Sequence, residues 1–109
     1  MIASETAPEF SSTEVDALAE NAARASEYLK AISHEHRLMI LCHLSSGEKS
    51  VTELENLLRA RQAAVSQQLS RLRQRGLVKT RRDGRTIYYS LADDRATRLI
   101  GLMHELFCS

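Results

Sequence analysis

A chain of 109 residues fits one small domain with a limited core, for which pairing with a second copy is an advantage. Its longest apolar runs are far too short to span a bilayer, and residues 1–12 lack the basic start and apolar stretch of a signal peptide, so a cytoplasmic protein is expected. The net charge of +1 hides an asymmetry: residues 59–85 carry nine bases and one acid, Asp83, whereas residues 1–27 carry six acids and one base, Arg24. The first segment is suited to phosphate, and the second to a solvated or self-associating face.

In chain order, residues 1–12 are polar, contain the only proline, Pro8, and are expected to form a disordered tail. A helix is expected from Thr13, whose hydroxyl can cap the first turn, with Glu14 and Asp16 favouring the positive end of the helix dipole. Its apolar residues Val15, Leu18, Ala22, Ala25, Leu29 and Ile32 alternate steps of three and four. That stripe is read as a dimer seam in preference to packing against its own domain, since alanines permit close helix approach.

A second helix is expected over residues 34–44, with Leu38, Leu41 and Leu44 inward, ended by Ser45-Ser46-Gly47. Ser50 and Glu53 form a Ser-x-x-Glu capping box, so a third helix starts at Val51 and buries Val51, Leu54, Leu57 and Leu58. After a turn at residues 59–61, a fourth helix covers residues 62–75, with Val65, Leu69 and Leu72 inward and Gly76 as its stop. Two β-prone runs, residues 77–81 and 86–91, flank Asp83-Gly84 as a hairpin. A last helix is expected over residues 93–107, with Leu99, Leu102 and Leu106 on one stripe. The predicted fold is therefore mainly α with a two-stranded β-wing. It is a winged helix-turn-helix in the order α-α-α-α-β-β-α, forming a homodimer, with residues 13–109 as the DNA-binding and dimerisation domain.

If Val65, Leu69 and Leu72 face the core, then Ala63, Ser66, Gln67, Ser70 and Gln74 face outward. Such a short, neutral, hydrogen-bonding face can enter a major groove. Gln67 can pair bidentately with adenine, and Ser66 can meet a base edge or a phosphate. Arg71, Arg73 and Arg75 lie further along and suit phosphates, which position without specifying. Arg81, Arg82 and Arg85 crown the hairpin, where a wing lies on the backbone or dips into the minor groove. The candidate contacts to double-stranded operator DNA are Gln62, Ala63, Ser66, Gln67, Ser70, Arg71, Arg81, Arg82 and Arg85. Alone, the polar face is an ordinary solvated helix surface; together with the turn, the charge split and the basic hairpin it points to DNA.

Cys42 and Cys108 are too far apart in a cytosolic chain to suggest a structural staple. On position alone they read as inert small residues about as well as anything else. An enzyme built on them, a small thiol peroxidase or sulfur transferase, is not expected. The chain has no Cys-x-x-Cys, no glycine-rich phosphate loop and no paired carboxylates in a likely cleft. An architectural winged helix without base-specific readout is a further alternative. His34 and His36 fall at a helix start, where a neutral capping role is expected. No cofactor is implied.

Ala64-Val65-Ser66-Gln67-Gln68-Leu69, followed by Leu72-Arg73 and Gly76-Leu77-Val78, resembles the ArsR-type (ArsR/SmtB) repressors. Ser33-His34-Glu35-His36-Arg37-Leu38-Met39-Ile40-Leu41 resembles that family's approach to its second helix. The match runs from about Val15 to the C-terminus. The resemblance implies a homodimer on an inverted-repeat operator, released when an inducer binds. Members that sense metals through the third helix carry a Cys-x-Cys pair near its start, and residues 50–55 here have no cysteine. Members that bind zinc through the last helix use Asp-x-His and then His-x-x-Glu from the partner chain. The matching positions here are Asp93 and Arg95, then Leu106 and Ser109, so three of the four ligands are missing.

Cys42 with Cys108 instead resembles the persulfide-sensing group of the family, the SqrR/BigR group. There, a cysteine on the second helix and one near the end of the last join through a disulfide or polysulfide bridge. The resemblance implies that Cys42 and Cys108 are redox-sensing, that the inducer is a small persulfide or polysulfide, and that the regulated genes serve sulfide detoxification. One of the thiols must then be accessible and readily ionised, because only the thiolate attacks sulfane sulfur. The alternative is a zinc- or arsenite-responsive repressor using Cys42, His104 and Cys108. His104 and Cys108 lie four apart on one helix face, and thiolates suit either ion.

Overall fold

The computed structural model describes residues 10–108. In order they form α1 (Ser12–Glu20), α2 (Ala22–Ile32), α3 (Glu35–Leu44), β1 (Lys49–Ser50), α4 (Val51–Leu58), α5 (Gln62–Gln74), β2 (Val78–Asp83), β3 (Thr86–Leu91) and α6 (Asp94–Cys108). The fold is mostly helical with an antiparallel hairpin wing, a winged helix-turn-helix. Residues 1–9 of the expected tail lie outside the described residues.

Local chemistry sets most boundaries. The Ser50 hydroxyl accepts from the Glu53 N–H at 3.2 Å, while the Glu53 carboxylate accepts from the Ser50 N–H at 2.9 Å, the expected capping box at the start of α4. His34 caps α3, its Nδ1 accepting from the His36 N–H at 3.1 Å. At the end of α5, Gly76 adopts φ +76°, a left-handed conformation glycine takes without strain. Its N–H donates to the Arg73 carbonyl, and the Leu77 N–H reaches back to the Leu72 carbonyl at 2.9 Å. This Schellman pair satisfies carbonyls the helix end would otherwise leave bare. The hairpin loop is Gly84-Arg85, since Asp83 pairs with Thr86. Gly84, at φ +63°, takes the positive-φ position of a type II′ turn.

The core gathers where α3, α4, α5 and α6 meet the sheet. Ile40 and Leu41 of α3, Leu54 of α4, and Leu69 and Leu72 of α5 are fully buried with Leu77, and Val65, Val78 and Ile100 close the same volume. The inward positions expected for α5 are the buried ones.

Four expectations require correction. The predicted first helix is two: Asn21, at φ −110° and ψ 7°, ends α1, and its side-chain amide donates to the Ala17 carbonyl at 3.1 Å. That local bond competes with helix continuation, the usual way asparagine interrupts a helix. The N-cap of α1 is Ser11, boxed with Glu14, and not Thr13. The sheet has three strands, order β1-β3-β2, because Lys49 and Ser50 pair with Tyr89 and Tyr88. A two-residue strand offers no alternation to read. Leu57, expected to be buried, is 47% exposed, since α4 turns only Leu54 fully inward, with Val51 and Leu58 half-buried. On α6 the buried residues are Ala96 and Ile100, while Leu102 and Leu106 of the expected leucine stripe lie outside.

Candidate nucleic-acid interface and thiol pair

The helix-turn-helix is α4 and α5, joined through Arg59, Ala60 and Arg61. Arg59 holds the left-handed conformation, φ 54° and ψ 43°, and is the only non-glycine residue with positive φ among those described. A left-handed non-glycine residue costs roughly 1–2 kcal/mol, so the packing of α4 against α5 must hold this turn in place. Leu54, Val65 and Leu69 supply that packing from within the core.

Seating α5 by Val65, Leu69 and Leu72 leaves Gln62, Ala63, Gln67, Ser70 and Arg71 exposed and Ser66 half-buried. The structure therefore gathers six of the nine expected contacts on one helix. Arg61 contributes no side-chain cap to α5, so the first N–H groups of this helix are not taken up by a capping side chain. Such donors, at the positive end of the helix dipole, suit a phosphate. Gln68 is a residue the sequence reading passed over: its Oε1 accepts from Arg37 Nη1 at 3.2 Å, tying α3 to α5. A helical wheel places Gln68 beside the core but does not name its partner.

The wing divides the remaining three. Arg82 and Arg85 stand exposed at its tip. Arg81 is engaged within the chain: its Nε donates to Glu48 Oε2 at 3.2 Å and its Nη2 to Glu48 Oε1 at 2.5 Å. Its guanidinium also lies 4.8 Å from the centre of the Tyr88 ring, its cross-strand partner. This bidentate pair holds the Glu48 carboxyl below its usual range. Arg81 thus braces the base of the wing. Sequence reasoning missed Glu48, and only the sheet register brings it to Arg81.

Cys42 lies on α3, half-buried against the core, and Cys108 ends α6 exposed; both are free thiols. Burial pushes the Cys42 thiol upward, and the neighbouring Cys108 adds to that shift. Cys42 and Cys108, distant in sequence, are carried on two helices, α3 and α6, that pack against each other. The direction of the Cys42 shift is opposite to that of an activated thiol, because burial disfavours the charged thiolate. His104 is exposed on α6. Among the described residues, no three His, Cys, Asp or Glu side chains gather in a way that could hold a metal ion. The alternative centre of Cys42, His104 and Cys108 is thus not assembled within one chain.

Iodoacetamide at neutral pH is expected to modify Cys108 ahead of Cys42. The Cys42 rate should still be climbing at a pH where an open thiol has levelled off, since burial withholds its thiolate. Peptide mass mapping across a pH series checks this; equal rates at every pH would place Cys42 in the open.

The packed helix pair α4 and α5 with the basic hairpin beside it defines a winged helix-turn-helix DNA-binding protein. The profile of the bacterial regulatory proteins of the arsR family matches residues 34–80. The biofilm growth-associated repressor of Agrobacterium fabrum is 45% identical over 93 residues, covering 85% of this chain and 80% of the relative. The transcriptional activator HlyU of Vibrio cholerae is 44% identical over 88 residues, covering 81% of this chain and 82% of the relative. The crystal structure of the repressor BigR from Xylella fastidiosa superposes with a TM-score of 0.82 at 38% identity, covering 86% of this chain and 96% of that one. The chain belongs to the ArsR family and is a transcriptional regulator. Among the described residues, no helix is long and apolar enough to cross a membrane.

Proposed function

We propose that this regulator is a sequence-specific repressor that binds an inverted-repeat operator as a homodimer and senses reactive sulfur through Cys42 and Cys108. What supports the sensing role is that two free thiols sit on helices in contact, Cys42 half-buried on α3 and Cys108 exposed at the end of α6. Gln67 and Ser66 on α5 read base edges, Gln62, Ala63 and Ser70 line the same approach, and Arg71, Arg82 and Arg85 meet phosphates. Arg81 holds the wing in position for that contact. The dimer forms through the apolar surface of α1, α2 and α6.

The chemistry runs from the exposed thiol inward. The Cys108 thiolate attacks the sulfane sulfur of a low-molecular-weight persulfide, R–S–SH, and expels the thiol R–SH, leaving a persulfide on Cys108. The Cys42 thiolate then attacks Sγ of Cys108, forms the Cys42–Cys108 disulfide and expels hydrosulfide. The two cysteines are oxidised by two electrons and the sulfane sulfur is reduced to sulfide. Transfer of a second sulfane atom gives Cys108 an –S–S–SH chain; attack of the Cys42 thiolate on the sulfur next to the terminal one then expels hydrosulfide and leaves a bridge longer by one sulfur. A raised Cys42 thiol suits the second step, because the attack is intramolecular and needs little standing thiolate.

The bridge ties the end of α6 to α3. Since α6 contributes to the dimer surface and α3 is bonded to α5, the tie changes the spacing of the two reading helices. Two half-sites lie about one helical turn apart, so a changed spacing forfeits one of them. Release from the operator then derepresses the genes of sulfide detoxification.

Reduced, anaerobic protein exposed to a low-molecular-weight persulfide is expected to lose two protons, with any added sulfur counted in units of one sulfur atom, and to leave its operator. Cys42→Ser and Cys108→Ser should bind operator when reduced and stay bound after persulfide. Intact mass and fluorescence anisotropy on the same samples decide it. A single mutant that still releases DNA would overturn the two-thiol mechanism, and an unchanged wild-type mass together with release by zinc or arsenite would favour the metal reading.

A further inference from the structure

A cleft of about 320 Å³ opens between the end of α2, the start of α3 and the end of α5. Four cationic side chains line it: Lys30 of α2, Arg37 of α3, and Arg71 and Arg75 at the end of α5, with Gln74 among them. Three elements distant in sequence thus bring positive charge to one concavity. Like charges held this close repel one another, and an anion is the simplest group that relieves them.

The cleft already favours a carboxylate at its edge. Glu27 meets Arg75 Nη1 at 2.5 Å and Lys30 Nζ at 3.7 Å. These neighbours, Arg75 first, hold the Glu27 carboxyl below its usual range. Arg37 has no such counter-charge among its bonds. Its Nη1 donates to the Gln68 side-chain carbonyl at 3.2 Å and its Nη2 to the Lys30 backbone carbonyl at 3.5 Å, both neutral acceptors. Its Nε is buried and has no hydrogen-bond partner. A buried donor left unsatisfied is costly, so a small shift that gives Nε a charged acceptor is favourable.

The position of the cleft suggests the source of that acceptor. Arg71 and Gln74 lie four and seven residues beyond Gln67, on the same face of α5. The mouth of the cleft therefore continues the reading face toward the C-terminal end of the helix. A reading helix contacts base edges with its first turns, which leaves its last turns over the wall of the groove, where phosphates line up.

We infer that this cleft seats a phosphate group through Lys30, Arg37, Arg71 and Arg75, and that the operator backbone supplies it. Only the source of the phosphate rests on the operator-binding reading above. The cleft adds an anchor from α2 and α3, outside the helix-turn-helix and the wing. Glu27 competes with the phosphate for Lys30 and Arg75.

The test uses the full-length protein with arginine side chains labelled by ¹⁵N, and Arg37→Lys to identify the Arg37 Nε–Hε resonance. Inorganic phosphate is titrated first, then an operator duplex, and operator affinity is measured over a salt series. Phosphate should shift the Arg37 resonance saturably, several-fold more weakly in Lys30→Gln and several-fold more tightly in Glu27→Gln. The operator should shift the same resonance, and Lys30→Gln should lower the slope of log affinity against log salt by about 0.9, the value of one phosphate contact. A response to phosphate without any response to the operator, with the slope unchanged, would assign the cleft to a free phosphate-bearing molecule and overturn the DNA source. An Arg37 resonance indifferent to both anions would overturn the cleft itself. Wild-type protein that fails to bind any operator would strike the functional reading, while the phosphate titration still reports on the cleft. Lys30→Gln and Glu27→Gln alter exposed side chains, so their opposite effects cannot both arise from misfolding.

Discussion

Leu69→Ala is expected to lower the free energy of unfolding by about 2–5 kcal/mol. Leu69 is fully buried on the inner face of α5, in a cluster with Ile40, Leu54 and Leu72. Truncation removes its transfer free energy and leaves a hole that three helices and the sheet cannot collapse to fill. A domain of this size holds only about 5–15 kcal/mol in all, so the loss is a large fraction of its stability. At roughly 4–8 °C per kcal/mol, the melting temperature should fall by more than 8 °C. Urea unfolding followed by circular dichroism measures it. A loss below 1 kcal/mol would mean that α5 is not seated through Leu69. Gln67→Ala is the companion measurement: one helical turn's face away and exposed, it should change stability by no more than about 0.5 kcal/mol. Its effect should fall on the discrimination between operator and random duplex.

The second large effect concerns assembly. Val15 is 53% exposed, Leu18 61%, Leu29 57% and Leu106 63%, with Phe10 and Phe107 exposed beside them. An apolar hollow of about 420 Å³ joins Leu29 and Ile32 of α2 to Leu38 of α3 and to Leu99 and Met103 of α6, so these surfaces adjoin. The double variant Leu18→Glu/Leu106→Glu places carboxylates in each copy of the proposed seam. Burying an unpaired charge costs several kcal/mol, so the pair should separate into single chains. A single chain holds one half-site and forgoes the high effective concentration of its linked twin, which predicts a loss of operator affinity of about 10²–10⁴-fold. Sedimentation velocity and anisotropy on the same sample check both parts. A dimer that survives the double substitution with full affinity would move the seam elsewhere. A variant reduced to single chains also loses the stability that assembly adds, so its unfolding midpoint should fall and, unlike that of the wild type, should not depend on protein concentration.

How much of this was readable in the sequence follows the range of the interactions. The capping box of Ser50 and Glu53, the stop at Gly76 and the hairpin at residues 83–86 depend on neighbours within a few positions, and each was legible. The inward triad Val65, Leu69 and Leu72 was legible because the helical period alone separates the faces of α5. What escaped was decided by distant partners. Lys49 and Ser50 are a strand only because Tyr88 and Tyr89 lie alongside them. The bond between Arg81 and Glu48 could not be read because only the register of the sheet brings the two together. The break at Asn21 is local, but its apolar neighbours continue the stripe through it, and the stripe was the stronger signal. For the thiols, spacing said nothing. The resemblance to a known family singled them out, and the packing of α3 on α6 puts the helices that carry them in contact.

Ser50 belongs to two elements at once. It is the last residue of the short edge strand, opposite Tyr88, and it is also the hydroxyl that closes the first turn of α4. The wing cannot swing without unwinding that turn, and the turn cannot fray without loosening the wing. Both therefore behave as one rigid piece, a lever whose fulcrum must lie outside it. In the proposed mechanism a bridge that pulls on α6 moves each head bodily, so the operator meets a change of distance between two stiff arms rather than the closing or opening of a flap. Amide exchange in β2, β3 and the first turn of α4 should then open in a single step.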